Sequence, residues 1–262
     1  MNEYFRLYTM KKSIRQHEIF KLVKSEGSSS IADIAEKLDV STETVRRNVK
    51  RLVSEGLVVK VHGGIALPLH DREPPILKRL HHNVSAKKRI ARAVAGLVED
   101  GDNLIIDTGS TTAYIAQALM TRDDLTVITN SSYIANLLAS NRSNHVFMTG
   151  GELRPHDAAA FGPSVIEFLR QFEAHRAILS MATVHETKGF MNYHLCEAEF
   201  SRAVMQQSEQ VVVAADASKF GRSGLTRVCR LDEIDLLVTD EAPAEALGAA
   251  LKSAEVEVVV SE

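Results

Sequence analysis

Two sets of side chains stand out for the chemistry they can do. The first is the string Ser41-Thr42-Glu43-Thr44-Val45-Arg46-Arg47-Asn48-Val49-Lys50, in which short hydroxyls precede three cations. Arginine can hold guanine O6 and N7 bidentately, serine and threonine can reach base edges or phosphates, and lysine pairs with phosphate. Ser41, Thr42, Thr44, Arg46, Arg47 and Lys50 are therefore candidate DNA ligands, joined by Lys60 and His62 just downstream. The second set follows a series of short β-rich runs. It comprises Asp107 with Gly109, Ser110, Thr111 and Thr112, then Asn130 and Ser131, Gly150, Gly151 and Arg154, and finally Asp216 and Lys219. Glycine permits a tight backbone turn, hydroxyls donate hydrogen bonds, and a helix N-terminus favours an anion. With Glu197 and Arg202 from a helical stretch, this set suits a phosphorylated sugar or polyol.

The elements that must position the first set are compact. A broad apolar stripe from Ser13 to Glu26, a turn at Ser28-Ser29-Ser30, and a helix from Ile31 to Leu38 capped by Ser30 precede the cationic string. That string reads as a further helix, capped at Ser41, burying Val45, Val49 and Leu52 and ending at Gly56. The run Leu57–Val61, the turn His62-Gly63-Gly64 and the run Ile65–Leu67 then form a strand, turn and strand. Two helices joined by a tight turn and followed by such a hairpin have the layout of a winged helix-turn-helix, here over residues 12–67.

The second set sits in a different pattern. Residues 68–84, with Pro68, Pro74 and Pro75, read as a linker. From a cap at Ser85 onward, over residues 85–262, apolar strands alternate with helical stripes, which indicates a parallel sheet covered on both faces. The expected fold class is thus α/β, a winged helix-turn-helix followed by a doubly wound α/β sensor domain. Ligands of such sheets bind outside the carboxyl ends of the strands, where the second set lies.

Charge divides in the same place. Residues 1–92 hold 19 Lys/Arg against 10 Asp/Glu, and residues 93–262 hold 12 against 24. A basic module on an acidic remainder points to a polyanion partner. No apolar run approaches the roughly 20 residues that span a bilayer, and the N-terminus lacks a signal-peptide layout. Cys196 and Cys229 form no close-spaced pair, and His81-His82 has no partner at metal spacing. No metal, cofactor or membrane contact is expected, and the cytoplasm is the expected compartment.

The residues from Arg15 to Gly64, with Ser-x-x-Thr-Val-Arg-Arg at 41–47 and His-Gly-Gly at 62–64, resemble the DeoR family of bacterial transcriptional repressors. The resemblance continues through Lys88–Ala95, Asp107-x-Gly-Ser-Thr, Thr129-Asn130-Ser131, Gly150-Gly151-x-x-Arg154, Gly162, Glu197 and Asp216-x-Ser-Lys219-Phe-Gly221. Within the family, His70-Asp71-Arg72, Gly-Glu-Leu-Arg at 151–154 and Glu167-Phe168-x-x-Gln171-Phe172 look most like the glycerol-3-phosphate regulon repressor branch. The resemblance implies a sensor fold related to ribose-5-phosphate isomerase and CoA transferases, a sugar-phosphate effector, and an oligomeric repressor that the effector releases from operator DNA. Three positions depart from the family pattern. Asn48 replaces a usual Asp, Ile65 a common Ala, and Leu179-Ser180-Met181-Ala182-Thr183 stands where Leu-Gly-x-x-Gly is usual, which should reshape the pocket.

A homodimer or homotetramer is expected, because one winged helix reads a short site weakly and pairing two half-sites raises affinity. A reading from another class stays open beside this one. Asp107, Asp216, Glu197 and Lys219 offer carboxylates and an amine for proton transfer, as in a phosphosugar isomerase carrying an accessory nucleic-acid domain. The winged helix weighs against it.

Overall fold

The computed structural model describes residues 14–26, 28–61, 63–67 and 73–262, and the chain divides into two compact units between Pro74 and Pro75. The first holds α1 (Ile14–Glu26), β1 (Ser28–Ser30), α2 (Ile31–Lys37), α3 (Thr42–Ser54), β2 (Val59–Val61) and β3 (Gly64–Ala66). The anticipated caps form: Ser30 Oγ accepts from the Asp33 amide at 3.0 Å, and Ser41 Oγ accepts from the Thr44 amide at 3.2 Å. Ile19, Val23, Ile34, Val45, Val49, Leu52 and Ile65 close one core between the helices and the sheet.

Ser28–Ser30 is a strand rather than the expected turn, and the strand expected at Leu57 begins only at Val59. The reason for the first is that β3 is central in the order β1-β3-β2, so its second edge needs backbone partners. Three serines carry no β signal, but their main chain pairs Ser28 with Ala66 and Ser30 with Gly64. A Cβ at Gly64 would collide with the Ser29 carbonyl, so this close approach admits glycine only.

The second unit opens with α4 (Ile76–Arg79) and α5 (Val84–Ala95). It continues through β4 (Asn103–Ile106), α6 (Ser110–Ala118), β5 (Thr126–Thr129), α7 (Ser132–Leu138) and β6 (His145–Met148). After a short pair, β7 (Leu153–Arg154) and β8 (Ala159–Ala160), come α8 (Pro163–Leu169), β9 (Ala174–Ser180), β10 (Thr183–His185) and β11 (Gly189–Asn192). The chain ends with α9 (Leu195–Gln206), β12 (Ser208–Ala214), β13 (Thr226–Cys229), β14 (Leu236–Thr239), α10 (Glu245–Ser253) and β15 (Glu257–Val260). Seven strands form one parallel sheet in the order β15-β14-β12-β9-β4-β5-β6.

Period-two alternation sends each strand's side chains to opposite faces. Ile105, Ala177, Leu179, Val213 and Leu237 join the core beneath α8, α9 and α10. Leu104, Ile106, Ile178, Val212 and Leu236 join the core beneath α5, α6 and α7. The α/β class and the doubly wound architecture agree with the sequence reading. A small antiparallel sheet, β10-β11-β13, was not anticipated.

The expected linker needs correction. Residues 68–72 lie outside the described residues, but 75–84 belong to the second unit. Ile76 is buried and its amide donates to the His156 carbonyl at 2.9 Å. The Tyr114 hydroxyl donates to the Leu80 carbonyl at 2.9 Å, and Lys87 Nζ donates to the carbonyls of Arg79 and His82, each at 2.6 Å. The expected cap at Ser85 is likewise replaced: Asn83 takes the N-cap position with φ 50°, and Ser85 is already inside the helix. Among the described residues, no helix is long and apolar enough to cross a membrane.

Candidate nucleic-acid interface and ligand site

The burial of Val45, Val49 and Leu52 fixes the rotation of α3, and the opposite surface carries Arg46, Arg47 and Lys50, all exposed. Ser41, Thr42 and Lys60 are exposed as well, and Thr44 is half-buried. His62 lies outside the described residues. The hydroxyls of Ser41 and Thr44 are 3.0 Å apart, so both act in the cap. Asn48 donates its Nδ2 to the Thr44 carbonyl at 2.8 Å, a bond that an aspartate carboxylate could not make. The exposed face of α3 is therefore a cationic stripe on a rigid helix.

In the second unit, strand order reverses between β4, from which β5 and β6 run one way, and β9, from which β12, β14 and β15 run the other. Such a reversal opens a crevice at the carboxyl ends. Asp107 follows β4 and Ser180 ends β9. The Ser180 amide donates to Asp107 Oδ2 at 3.0 Å, and its hydroxyl lies 3.3 Å from both carboxylate oxygens. Burial pushes the Asp107 carboxyl well above its ordinary value, against the hydrogen bonds from Ser180 and Thr112 that pull it down. Gly109 then passes so close to Ser180 that a Cβ there would overlap the serine Oγ. Helix α6 starts at Ser110 without a side-chain cap, so the amides of its first turn are left for another acceptor.

Neighbouring strand ends add unsatisfied polar atoms. Asn130 is fully buried and donates Nδ2 to the Ala160 carbonyl at 3.0 Å, while its Oδ1 has no hydrogen-bond partner. Thr149 Oγ1, also fully buried, has none either. Ser131 Oγ accepts from the Ile134 amide at 3.4 Å, making it a cap. Gly151 adopts φ 128° beside the Ala160 side chain, and Gly150 is open. Arg154 reaches two carboxylates, Asp157 and Glu197, and its guanidinium lies 4.5 Å above the Phe161 ring. Asp157 is also held by Arg79 at 2.8 Å. Burial acts to raise the Asp157 carboxyl, but the His156 hydrogen bond and the charges of Arg154 and Arg79 outweigh it and hold it at about 2. The Thr108 hydroxyl donates to the Asp157 carbonyl at 3.3 Å, joining this cluster to the loop after β4.

The remaining expected ligands lie on the other side of β9 or on α9. Asp216 is buried and accepts from Asn83 Nδ2 at 3.0 Å, in a groove with Arg89, Ser218 and Asp240. It follows β12, two strands from β4, roughly 10 Å away at about 5 Å per strand, and Lys219 shares its 3₁₀ turn. Arg202 donates to the Arg227 carbonyl of β13 at 2.6 Å. Asp216 and Arg202 are thus engaged by Asn83 and by the Arg227 carbonyl. Sequence reasoning missed Arg79 and Asp157. The Arg154-x-x-Asp157 spacing was a readable signal for the second, whereas nothing local marked Arg79. Among the described residues, no cluster of three or more His, Cys, Asp or Glu could hold a metal ion.

Comparison with known proteins agrees with both halves. Residues 15–70 match the DeoR-like helix-turn-helix domain and residues 82–241 the DeoR C terminal sensor domain. The chain is 32% identical to the glycerol-3-phosphate regulon repressor of Escherichia coli (strain K12), over 89% of this chain and 93% of that protein. It is 30% identical to the transcriptional repressor CsqR of the same organism, over 95% of both chains. It is 31% identical to the transcriptional repressor GlcR of Bacillus subtilis, over 93% and 94%. Its fold is also similar to ribose 5-phosphate isomerase A from Neisseria gonorrhoeae (TM-score 0.38, 20% identity, 51% of this chain and 52% of that one).

Two measurements check this geometry. Gly109→Ala is expected to lower unfolding stability by about 1–3 kcal/mol, the range for overpacking. Adding Ser180→Gly should restore most of it, and a double variant as unstable as the single one would show that the overlap is not the cause. The pH test concerns Asp157, whose folded value of about 2 lies below its ordinary 3.8. A depressed carboxyl stabilises above its unfolded value and loses that contribution as pH falls through the folded one. Urea titrations should show the advantage of wild type over Asp157→Asn shrinking by roughly 2 kcal/mol as pH falls through that window.

Proposed function

The chain belongs to the DeoR family of transcriptional regulators, and from that premise we propose that it is a repressor whose hold on operator DNA is released by a phosphorylated sugar or polyol. DNA binding is the role of the first unit. The observation that carries this is the stripe of Arg46, Arg47 and Lys50 on α3, held outward by the burial of Val45, Val49 and Leu52. A helix so fixed enters the major groove with its N-terminal residues against base edges. Ser41 and Thr42 at its start would reach base edges or phosphates, and Lys60 and His62 would reach the backbone or minor groove.

The ligand site is proposed at the carboxyl ends of β4, β5 and β6. The open first turn of α6 would take a phosphate, with Ser110 and Thr111 supplying hydroxyls, Thr112 holding the turn through the Gly109 carbonyl at 3.1 Å, and Arg154 the balancing charge. Hydroxyls of the same ligand would satisfy Asn130 and Thr149, whose unpaired buried oxygens otherwise cost about 1–3 kcal/mol each. Arg154 carries this reading: its carboxylate partners hold it in place, and an anion can compete for it. Release follows by linkage, the ligand favouring an arrangement with lower operator affinity. Relatives of similar length are named as repressors, which supports regulation over turnover as the role of this site. A homodimer or homotetramer would present two winged helices to two half-sites.

Fluorescence anisotropy with DNA from the protein's own promoter region tests the proposal. Arg46→Ala and Arg47→Ala should each weaken specific binding at least about fivefold, corresponding to about 1–3 kcal/mol for a bidentate base contact, while the fold of the second unit stays intact. Titrating glycerol-3-phosphate and other phosphate esters into the complex should release the DNA with one of them. Specific binding that no ester disturbs would remove the phosphate site from the proposal, and turnover of an aldose phosphate would replace it with the isomerase reading.

A further inference from the structure

Asp157 joins parts of the second unit that the sequence keeps far apart. Its carboxylate is only 2% exposed and is shared by Arg79 of α4, 2.8 Å from Oδ1, and by Arg154. Arg154 also pairs with Glu197 of α9. The backbone of this loop is committed in the same two directions. The His156 carbonyl accepts the Ile76 amide of α4 at 2.9 Å, and the Asp157 carbonyl accepts the Thr108 hydroxyl at 3.3 Å. The carbonyl of Arg79 is pinned in turn by the buried Lys87 ammonium at 2.6 Å. One loop, residues 154–158, thus touches the turn before α6, the Arg154–Glu197 pair and α4. In sequence, α4 is the first element after the DNA-binding unit.

A carboxylate this deeply buried depends on both cations, because removing one leaves charge uncompensated in a low dielectric. An anion that recruits Arg154 withdraws one of the two, leaving Asp157 to Arg79 and to the His156 ring, both on Oδ1. Motion at Arg154 therefore has to appear at α4, and the position of Arg79 has to set where Arg154 waits. We propose that Arg79 is a positioning residue of the ligand site, acting through Asp157 on Arg154, and that this shared carboxylate transmits site occupancy to α4. The transmission to α4 on ligand binding rests on the reading that Arg154 meets an anionic ligand. The Arg79–Asp157–Arg154 linkage itself does not.

Hydrogen exchange on the full chain tests it in two arms, with circular dichroism confirming that each variant is folded. Without ligand, Arg154→Gln should change exchange at the Ile76–Leu80 amides at least threefold and leave α7 unaltered. Unchanged α4 amides would overturn the relay whether or not any ligand binds. With glycerol-3-phosphate as the probe, wild type should show a change in the same α4 amides. Arg79→Gln should bind the probe at least tenfold more weakly, and Arg79→Lys, which keeps the cation, should recover most of that loss. Probe binding by Arg79→Gln equal to wild type would overturn the positioning role. If wild type fails to bind the probe, the phosphate reading falls for this ester, and the ligand-free arm still decides the relay. Should Arg79→Gln fail to fold, Arg79→Lys against Arg154→Gln carries the same comparison.

Discussion

The second unit depends on one constraint, the reversal of winding between β4 and β9. A parallel sheet that grows outward in both directions from adjacent strands sends its chain to opposite faces there, leaving the strand ends uncovered. Asp107 and Ser180 terminate those two strands and close the gap between them by hydrogen bonds. That closure leaves no room for a Cβ at Gly109, and the glycine in turn lets α6 begin directly at the crevice with its first amides uncapped. Strand order, a buried carboxylate, a serine and a glycine are thus consequences of one topological fact.

Around this crevice charges cluster on one buried carboxylate, Asp157. Asp157 and Glu197 hold Arg154, and Arg79 holds Asp157 from the other side. Buried pairs of this kind contribute little net stability compared with apolar packing of the same volume, and what they supply is geometry. Arginine suits the task because its planar fork engages two acceptors in fixed directions and stacks on an aromatic face, as Arg154 does on Phe161. A phosphate ester presents the same acceptor chemistry as the carboxylates that hold Arg154, so under the proposed function the ligand would compete with them for it. In the first unit charge is used differently: Arg46, Arg47 and Lys50 are exposed and unneutralised by the core they flank, which suits long-range attraction to a polyanion.

Much of this was legible from residue order. The caps at Ser30 and Ser41, the buried stripe of α3 and the alternation of apolar strands with helices are local signals, and local physics honours them. The failures share a cause. Ser28–Ser30 becomes a strand because β3 needs a partner, and residues 75–84 dock on the sheet domain because His156, Asp157 and Tyr114 offer partners. Neither demand is written in the segment that meets it. The ligand set shows the same dependence: Asp107 meets Ser180 of β9, Asp216 meets Asn83, and Arg202 turns to β13. Spacing along the chain does not give strand order, and strand order decides which ends meet.

The proposed regulation links a small anion to operator DNA, and linkage is reciprocal. Its most direct test is a calorimetric titration of the effector ester, glycerol-3-phosphate first, into the free protein and into the protein saturated with operator. The operator should weaken the ester's affinity by the same factor by which the ester weakens the operator's. An affinity that is identical with and without DNA, in a protein that binds both, would contradict it.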